Sequence, residues 1–288
     1  MHRSIRRLCI PHFVALVLLT TTARADDGVL EINQTCAVQT GCFPGDSAGF
    51  PVTIDGESGR SHRLTSDLVL PDADTTGIRI LADSVSIDLA GFELRGPVVC
   101  NGKPLACTPS TAGGFGGGIS SNGNAGVSVR NGSIRGTGGL AVSVGEQAEV
   151  TNLRVRSNLG AGIFAFHGST VSDNAVHHNA GAGILVSVGS TVSGNASYRN
   201  SSDGIFGGEG TTISGNSVYD NGGDGIEAQT GSAILGNAVR LNSGFGLNLL
   251  SRSGYRENVI SDNSSGTVNG SSLVDLGDNA CNGSPVCP

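Results

Sequence analysis

A strict twenty-one-residue period runs along this chain, and few folds tolerate one. One apolar column reads Val129, Val150, Val171, Val192, Ile213, Ile234 and Tyr255. A second reads Ile134, Val155, Val176, Ser197, Val218, Val239 and Ile260, and a third Ile163, Ile184, Ile205, Ile226 and Leu247. Two asparagine columns keep the same step: Asn174, Asn195, Asn216, Asn237 and Asn258, and Asn158, Asn179, Asn200, Asn221, Asn242 and Asn263. Self-similarity at fixed spacing marks a solenoid, in which each turn of chain stacks on the last.

The unit Gly183 to Asp203 shows how one turn is built. Ile184-Leu185-Val186, Thr191-Val192-Ser193 and Ala196-Ser197-Tyr198 alternate inward and outward residues, so each predicts a short strand. Gly189 and the Gly194-Asn195 pair predict the corners between them. Three strands per coil, stacked ~4.8 Å apart, give three parallel sheets around an apolar interior. The asparagines are expected at the corners, tolerating left-handed backbone and bonding from coil to coil through their amides. Gly162, Gly183, Gly204, Gly225 and Gly246 precede the third apolar column and predict a corner that a side chain would strain. A leucine-rich repeat has a comparable period but needs more leucine than this chain supplies. The expected architecture is all-β: a parallel three-sheet solenoid of nine or ten 21-residue coils, roughly 45 Å long from the ~4.8 Å rise.

The ends are less regular. Residues 1–25 read as a secretory signal peptide, with Arg3, Arg6 and Arg7 before the apolar run Val14 to Leu19 and Ala23-Arg24-Ala25 as the cleavage site. Residues 26–75 are expected to form an N-terminal cap with the first imperfect coils. The β-helix body is placed at 76–263, interrupted by a loop at 97–118, and a C-terminal cap at 264–288. The exported chain keeps six cysteines in close pairs, Cys36 and Cys42, Cys100 and Cys107, Cys281 and Cys287. Local disulfides are the simplest of fifteen connectivities, and secretion permits them. Secretion to the periplasm or outside the cell is the expected localisation. No stretch after the leader is long enough to span a bilayer, so no membrane insertion is expected. The leader holds four arginines and no acid, so its removal takes the formal charge from −7 to −11. With Lys103 the only lysine, no basic footprint for nucleic acid exists. A monomer is expected.

The segment Val192-Ser193-Gly194-Asn195 through Asn200 to Gly204-Ile205, and its equivalent from Ile213 to Ile226, resemble the right-handed parallel β-helix repeat of the pectate-lyase-like superfamily. Val85-Ser86-Ile87-Asp88-Leu89-Ala90-Gly91-Phe92 is similar to the opening coil common in its secreted bacterial members. The likeness covers roughly residues 75 to 265. It implies an extracellular protein of a kind that often acts on or binds polysaccharide, without fixing an activity.

Each candidate site has a plain structural counterpart. The strand after the glycine column presents Phe164, Leu185, Phe206, Glu227 and Asn248 outward. Its apolar members could stack on sugar, or the 97–118 loop could cover them. A second outward column, Arg156, His177, Tyr198, Tyr219 and Arg240, could offer rings and cations to an acidic sugar chain, or simply stabilise the ladder. Asp203, Asp224 and Glu227, with Arg199, could form an acidic catalytic site or hold calcium. Each aspartate could equally cap its corner. His177 and His178 are adjacent and expected to point to opposite sides of a strand, and His167 lies in another turn, so no metal site is expected. The resemblance sets further limits. The Asp-Asp, Gly-His-Gly and Arg-x-Lys pattern of polygalacturonases is missing from the coils, as is the Asp-Pro-His-Asp pattern of mannuronan epimerases. The leading reading is a secreted, non-catalytic protein that binds polysaccharide or a cell-surface glycan, or is structural, with no cofactor. The alternative is a polysaccharide lyase or glycoside hydrolase acting on acidic polysaccharide, with calcium if a lyase.

Overall fold

The computed structural model describes residues 28–56, 60–109, 116–121, 123–284 and 287. The leader reading at 1–25 lies outside the described residues, as does the middle of the 97–118 loop.

The chain is a right-handed parallel β-solenoid of about ten turns. In the reference coil the three strands are Ile184–Val186, Thr191–Ser193 and Ala196–Tyr198, here called the first, second and third sheets by position. The described solenoid strands pair in parallel, and in the regular coils the partners lie one period apart: Ile184 faces Ile163 and Ile205, Val192 faces Val171 and Ile213, and Ser197 faces Val176 and Val218. Among the described residues the first sheet has ten strands, from Val52–Ile54 to Gly266–Asn269. The ladders reach beyond the regular repeat at both ends. Val29–Ile32 pairs with Ser61–Leu64, and Val274–Asp275 and Ala280–Cys281 extend the second and third sheets.

The three apolar columns point inward. Val129, Val150, Val171, Val192, Ile213 and Ile234 are fully buried, as are Ile163, Ile184, Ile205, Ile226 and Leu247. Ser197, the polar exception in the second column, is equally buried; its hydroxyl donates to Gly204 O at 2.7 Å and accepts from Asn200 Nδ2 at 3.2 Å. A hydroxyl is tolerated there because both its donor and acceptor capacities are used.

The corners follow a rule that the sequence reading placed one residue off. Asparagine is not the left-handed residue; the residue before it is. Asp173, Gly194, Gly215 and Gly236 precede one asparagine ladder with φ of 58°, 67°, 64° and 62°, and His178, Arg199 and Asp220 precede the other with φ of 55°, 53° and 58°. That residue reverses the chain and turns the following asparagine inward. The buried amide then donates to the next coil's amide oxygen, as from Asn195 Nδ2 to Asn216 Oδ1 and from Asn200 Nδ2 to Asn221 Oδ1 at 3.0 and 3.1 Å. The glycine column also needs a different reason. Gly162, Gly183, Gly204, Gly225 and Gly246 lack a positive φ; a Cβ on Gly225 would collide with Val239 Cγ1, Gly246 O and Asn242 Nδ2. Close packing excludes a side chain, not backbone strain.

The disulfides join Cys36 to Cys42, Cys100 to Cys107 and Cys281 to Cys287, local pairs as expected. The middle one crosses an antiparallel hairpin, Val99–Asn101 with Ala106–Thr108, that leaves the solenoid. The hairpin packs through Val98, Cys100 and Leu105 on Ala73 and Leu159. Among the described residues no helix is long and apolar enough to cross a membrane.

Candidate functional site

The outward end of the third sheet builds the row Arg156, His177, Tyr198, Tyr219 and Arg240, whose members are strand partners one coil apart. His177 stacks on Tyr198 with centroids 4.6 Å apart and planes 14° from parallel, and Tyr198 on Tyr219 at 4.8 Å and 4°. The Arg240 guanidinium carbon lies 5.6 Å from the Tyr219 ring centre, continuing the stack as a cation–π contact. The ring separation equals the rise per coil, so the rings lie across the solenoid axis. Their faces are spent on one another, and edges and hydroxyls face outward. A sugar therefore cannot lie flat on Tyr198 or Tyr219; what the row offers is one polar or cationic group per coil.

The histidines correct the reading of adjacent side chains. His178 has φ 55°, which turns its side chain toward its neighbour, and the two Nδ1 atoms lie 2.8 Å apart. Strand alternation fails there because the corner begins at that residue. Desolvation, then His178, Arg156 and Arg199, lowers the His177 pKa to about 4, and the same burial with Arg199 and Arg156 lowers that of His178. Both rings are neutral near pH 7, one Nδ1 donating to the other. The folded pKa of His177 lies below its unfolded value, so the associated stability is full above about 6.5 and lost as pH falls toward about 4. His177→Tyr, which extends the tyrosine stack, is expected to flatten the pH dependence of the urea midpoint across that window. An unchanged slope would mean that other groups set it.

Arg199 does not join the acidic candidates. Its Nε contacts Asp220 Oδ2 at 3.2 Å, and Lys103 of the hairpin also contacts Asp220, so the loop is tied to the third-sheet side. These two cations, each after burial's opposing effect, hold the Asp220 carboxyl below its ordinary pKa.

Asp203, Asp224 and Glu227 do converge, with a carboxylate oxygen of each within 4.8 Å of the others. The two aspartates also carry structural bonds. Asp203 Oδ1 accepts from the Asp224 N–H at 2.8 Å, and Asp224 Oδ1 from the Phe245 N–H at 2.6 Å. Asn248 Nδ2 donates to Asp224 Oδ2 at 2.7 Å. Burial raises the Asp203 and Glu227 pKa values, with the neighbouring carboxylates adding to it. A divalent cation would fit the donor set, since it would relieve mutual repulsion among three hard oxygen ligands. On the same first-sheet face, Phe164, Leu185 and Phe206 are half-buried strand partners, and Phe206 faces Glu227. Phe164 also meets Phe166 edge-on at 4.9 Å. His167 lies in the following turn, where its Nδ1 meets Ser187 Oγ at 2.9 Å.

One feature escaped the sequence reading. A cleft of about 330 Å³ opens over the corner between the second and third sheets, lined by Asn131, Asn152, Leu153, Arg154, Asp173 and Ala175 among others. Its signal was present: the left-handed column reads Asn131, Asn152, Asp173 before it becomes Gly194, Gly215 and Gly236. Only a polar residue that also tolerates positive φ keeps both the corner and a functional group.

A family profile described as "Right handed beta helix region" matches residues 107–211 and 138–281. No curated protein sequence matches the chain significantly. Among solved structures, the enzymatically active domain of tailspike protein 2 from bacteriophage CBA120 is similar at TM-score 0.50 and 14% identity, covering 76% of this chain and 41% of that one. The A-module of a mannuronan C-5 epimerase from Azotobacter vinelandii aligns at TM-score 0.45 and 15% identity, over 88% of this chain and 84% of the module. A periplasmic alginate epimerase aligns at 0.47 and 14%, over 86% and 82%. At such identities the likeness shows the shared fold alone.

Proposed function

The chain belongs to the right-handed β-helix family, and from that premise and the geometry of the third sheet we propose that it is a secreted, non-catalytic protein that binds an acidic polysaccharide along its length. The observation that carries the reading is the row Arg156, His177, Tyr198, Tyr219 and Arg240, locked by stacking so that one outward group recurs with every coil. A polymer of pyranose units is also periodic, and a rigid ladder meets successive units without the entropic cost of ordering loose side chains. Guanidinium groups at both ends suit carboxylates: Arg240 has no ion-pair partner among the described residues, and Arg156 lies 3.8 Å from Glu93, a carboxylate already bonded by Arg135 at 2.9 Å. The neutral histidine and the tyrosine hydroxyls between them suit sugar oxygens. Burial and the neighbouring Tyr219 raise the Tyr198 pKa, so its hydroxyl stays a donor. The three disulfides fit an oxidising compartment outside the cytosol.

The enzymatic alternative gains less from the geometry. Arg199 is engaged away from the acids, and Asp203 and Asp224 already accept backbone N–H groups. Digestion screens on uronic-acid polymers, with and without calcium, are expected to give no product; release of unsaturated or reducing ends would replace this reading with a lyase or hydrolase.

The binding reading is tested with polygalacturonate and alginate in calorimetry. Wild type is expected to bind, with affinity falling as salt rises. Arg156→Gln/Arg240→Gln is expected to weaken binding at least about tenfold, from two lost charge-assisted contacts. Tyr198→Phe/Tyr219→Phe keeps the stack, removes the hydroxyls, and is expected to weaken binding with unchanged stability. Equal affinity for wild type and both double variants would remove the third-sheet row as the binding surface.

A further inference from the structure

The corner cleft is a different kind of surface from the ring row. Its walls come from two ladders that meet where the second and third sheets join in the unbroken strands Ser128–Arg135 and Glu149–Arg156. Along one wall runs an amide chain: Asn152 Nδ2 donates to Asn131 Oδ1 at 2.9 Å, and Asn131 Nδ2 to Asp88 Oδ1 at 3.3 Å. This fixes the amides' orientation, with the second Asp88 oxygen 3.5 Å from Arg130. On the other wall Arg154 donates through Nε to Ser133 Oγ at 3.3 Å and, among the described residues, has no ion-pair partner. Asp173 closes the third side. Arg154 and Asp173 line the same small cleft with opposite charges and do not pair with each other. The nearby cations Arg130 and Arg135 are held by Asp88 and Glu93, so Arg154 supplies the available positive charge.

We infer that this cleft is a recognition site for one acidic sugar residue, with the Arg154 guanidinium taking the carboxylate and Asp173, Asn131 and Asn152 taking ring hydroxyls. The inference rests on the acidic-glycan reading above and adds a second, independent site to it. The volume of about 330 Å³ lies at the small end of ligand clefts, which run from about 300 to 1,000 Å³, and suits a single ring better than an oligomer. The donor set is also selective. A carboxylate beside Asp173 would be repelled, so the acid must face Arg154 and the hydroxyls must face the aspartate. That polarity distinguishes a uronate from a neutral hexose of the same size, and from a dianion such as phosphate.

Two substitutions remove the site without removing the fold. Asp173→Gly installs the residue that Gly194, Gly215 and Gly236 already provide at the equivalent left-handed corner. Ala175→Leu fills the cleft from an outward position, in a strand column that elsewhere holds Arg154 and Val259. The test is ligand-observed NMR with sodium glucuronate and galacturonate, glucose as the neutral control, and inorganic phosphate as the anion control. Wild type is expected to bind a uronate at least about tenfold more tightly than glucose or phosphate, from its charge-assisted contacts. Arg154→Gln, Asp173→Gly and Ala175→Leu are each expected to abolish that preference while keeping the wild-type circular dichroism and unfolding midpoint. Arg252→Gln, an exposed cation outside the ring row and the cleft lining, is expected to leave it intact. Uronate binding that survives in Arg154→Gln and Ala175→Leu, or glucose or phosphate binding as well as uronate, overturns the assignment. Polymer binding that depends on the ring row while the monosaccharides do not bind overturns this site alone and leaves the third-sheet reading standing. Absence of binding to polymer and monosaccharide alike removes both.

Discussion

Asn195→Ala is expected to cost about 4 kcal/mol of stability or more, a large loss for a single polar substitution. The residue is buried and sits mid-ladder. Its Oδ1 accepts from the Asn174 backbone N–H and from Asn174 Nδ2, at 2.9 and 3.0 Å. Its Nδ2 donates to Val171 O, Ser193 O and Asn216 Oδ1, at 2.9, 3.0 and 3.0 Å. Alanine deprives several buried groups of a partner together, where no water replaces it, and each such group costs roughly 1–3 kcal/mol. The control is Asn269→Ala, an exposed asparagine whose Nδ2 donates to Asn248 Oδ1 at 2.9 Å and which is expected to cost less than about 1 kcal/mol. Urea unfolding gives the comparison. Hydrogen exchange should place the loosening in the coils from Val171 to Asn216, because a solenoid coil touches only its neighbours. Similar unfolding midpoints for the two variants would show that the ladder contributes far less than its bonds suggest.

The second large effect needs only one added methyl group. Gly225→Ala is expected to destabilise by about 3 kcal/mol, at the upper end of ordinary overpacking. The new Cβ would lie 2.7 Å from Gly246 O and 2.8 Å from Asn242 Nδ2, and closer still to Val239 Cγ1. Only the valine can turn away. The carbonyl belongs to the next coil's ladder and the amide to the asparagine stack, so relief there means prising two coils apart. Gly189→Ala tests the other meaning of glycine. Gly189 has φ 67° with nothing within 4 Å of a built Cβ, so alanine there meets only left-handed strain, about 1–2 kcal/mol. Combining Gly225→Ala with Val239→Ala should restore part of the loss and leave a residue set by the backbone contacts. Full restoration would place the whole clash on the valine, and a Gly225→Ala protein as stable as wild type would refute the packing argument.

The fold was legible in the sequence because every coil repeats the same inward choices. Val171, Val192 and Ile213 could be aligned by eye, and they are strand partners. Ser197 broke the column, yet its period held because a hydroxyl can be satisfied inside. The candidate site was less legible, and particular residues show why. The positions of Tyr198 and Tyr219 were readable, but not the ring planes, which decide whether a sugar meets faces or edges. The adjacency of His177 and His178 suggested opposite sides until a left-handed backbone at His178 put the rings together. Arg199 stood four residues from Asp203 and joined Asp220 on the next coil instead. In a solenoid, neighbours along the axis are twenty-one residues apart, so short sequence spacing misleads about contact.

The sequence by itself determined the period, the three strands per coil, the inward columns and which side chains face outward. These follow from alternation and from corner chemistry, both local and both repeated. Only the tertiary structure decided which outward groups touch, which guanidinium is left without a carboxylate, and that a cleft opens where Asn131, Asn152 and Asp173 occupy the corner. Those outcomes depend on rotamers and on backbone sign at single residues, and a repeating pattern averages such detail away.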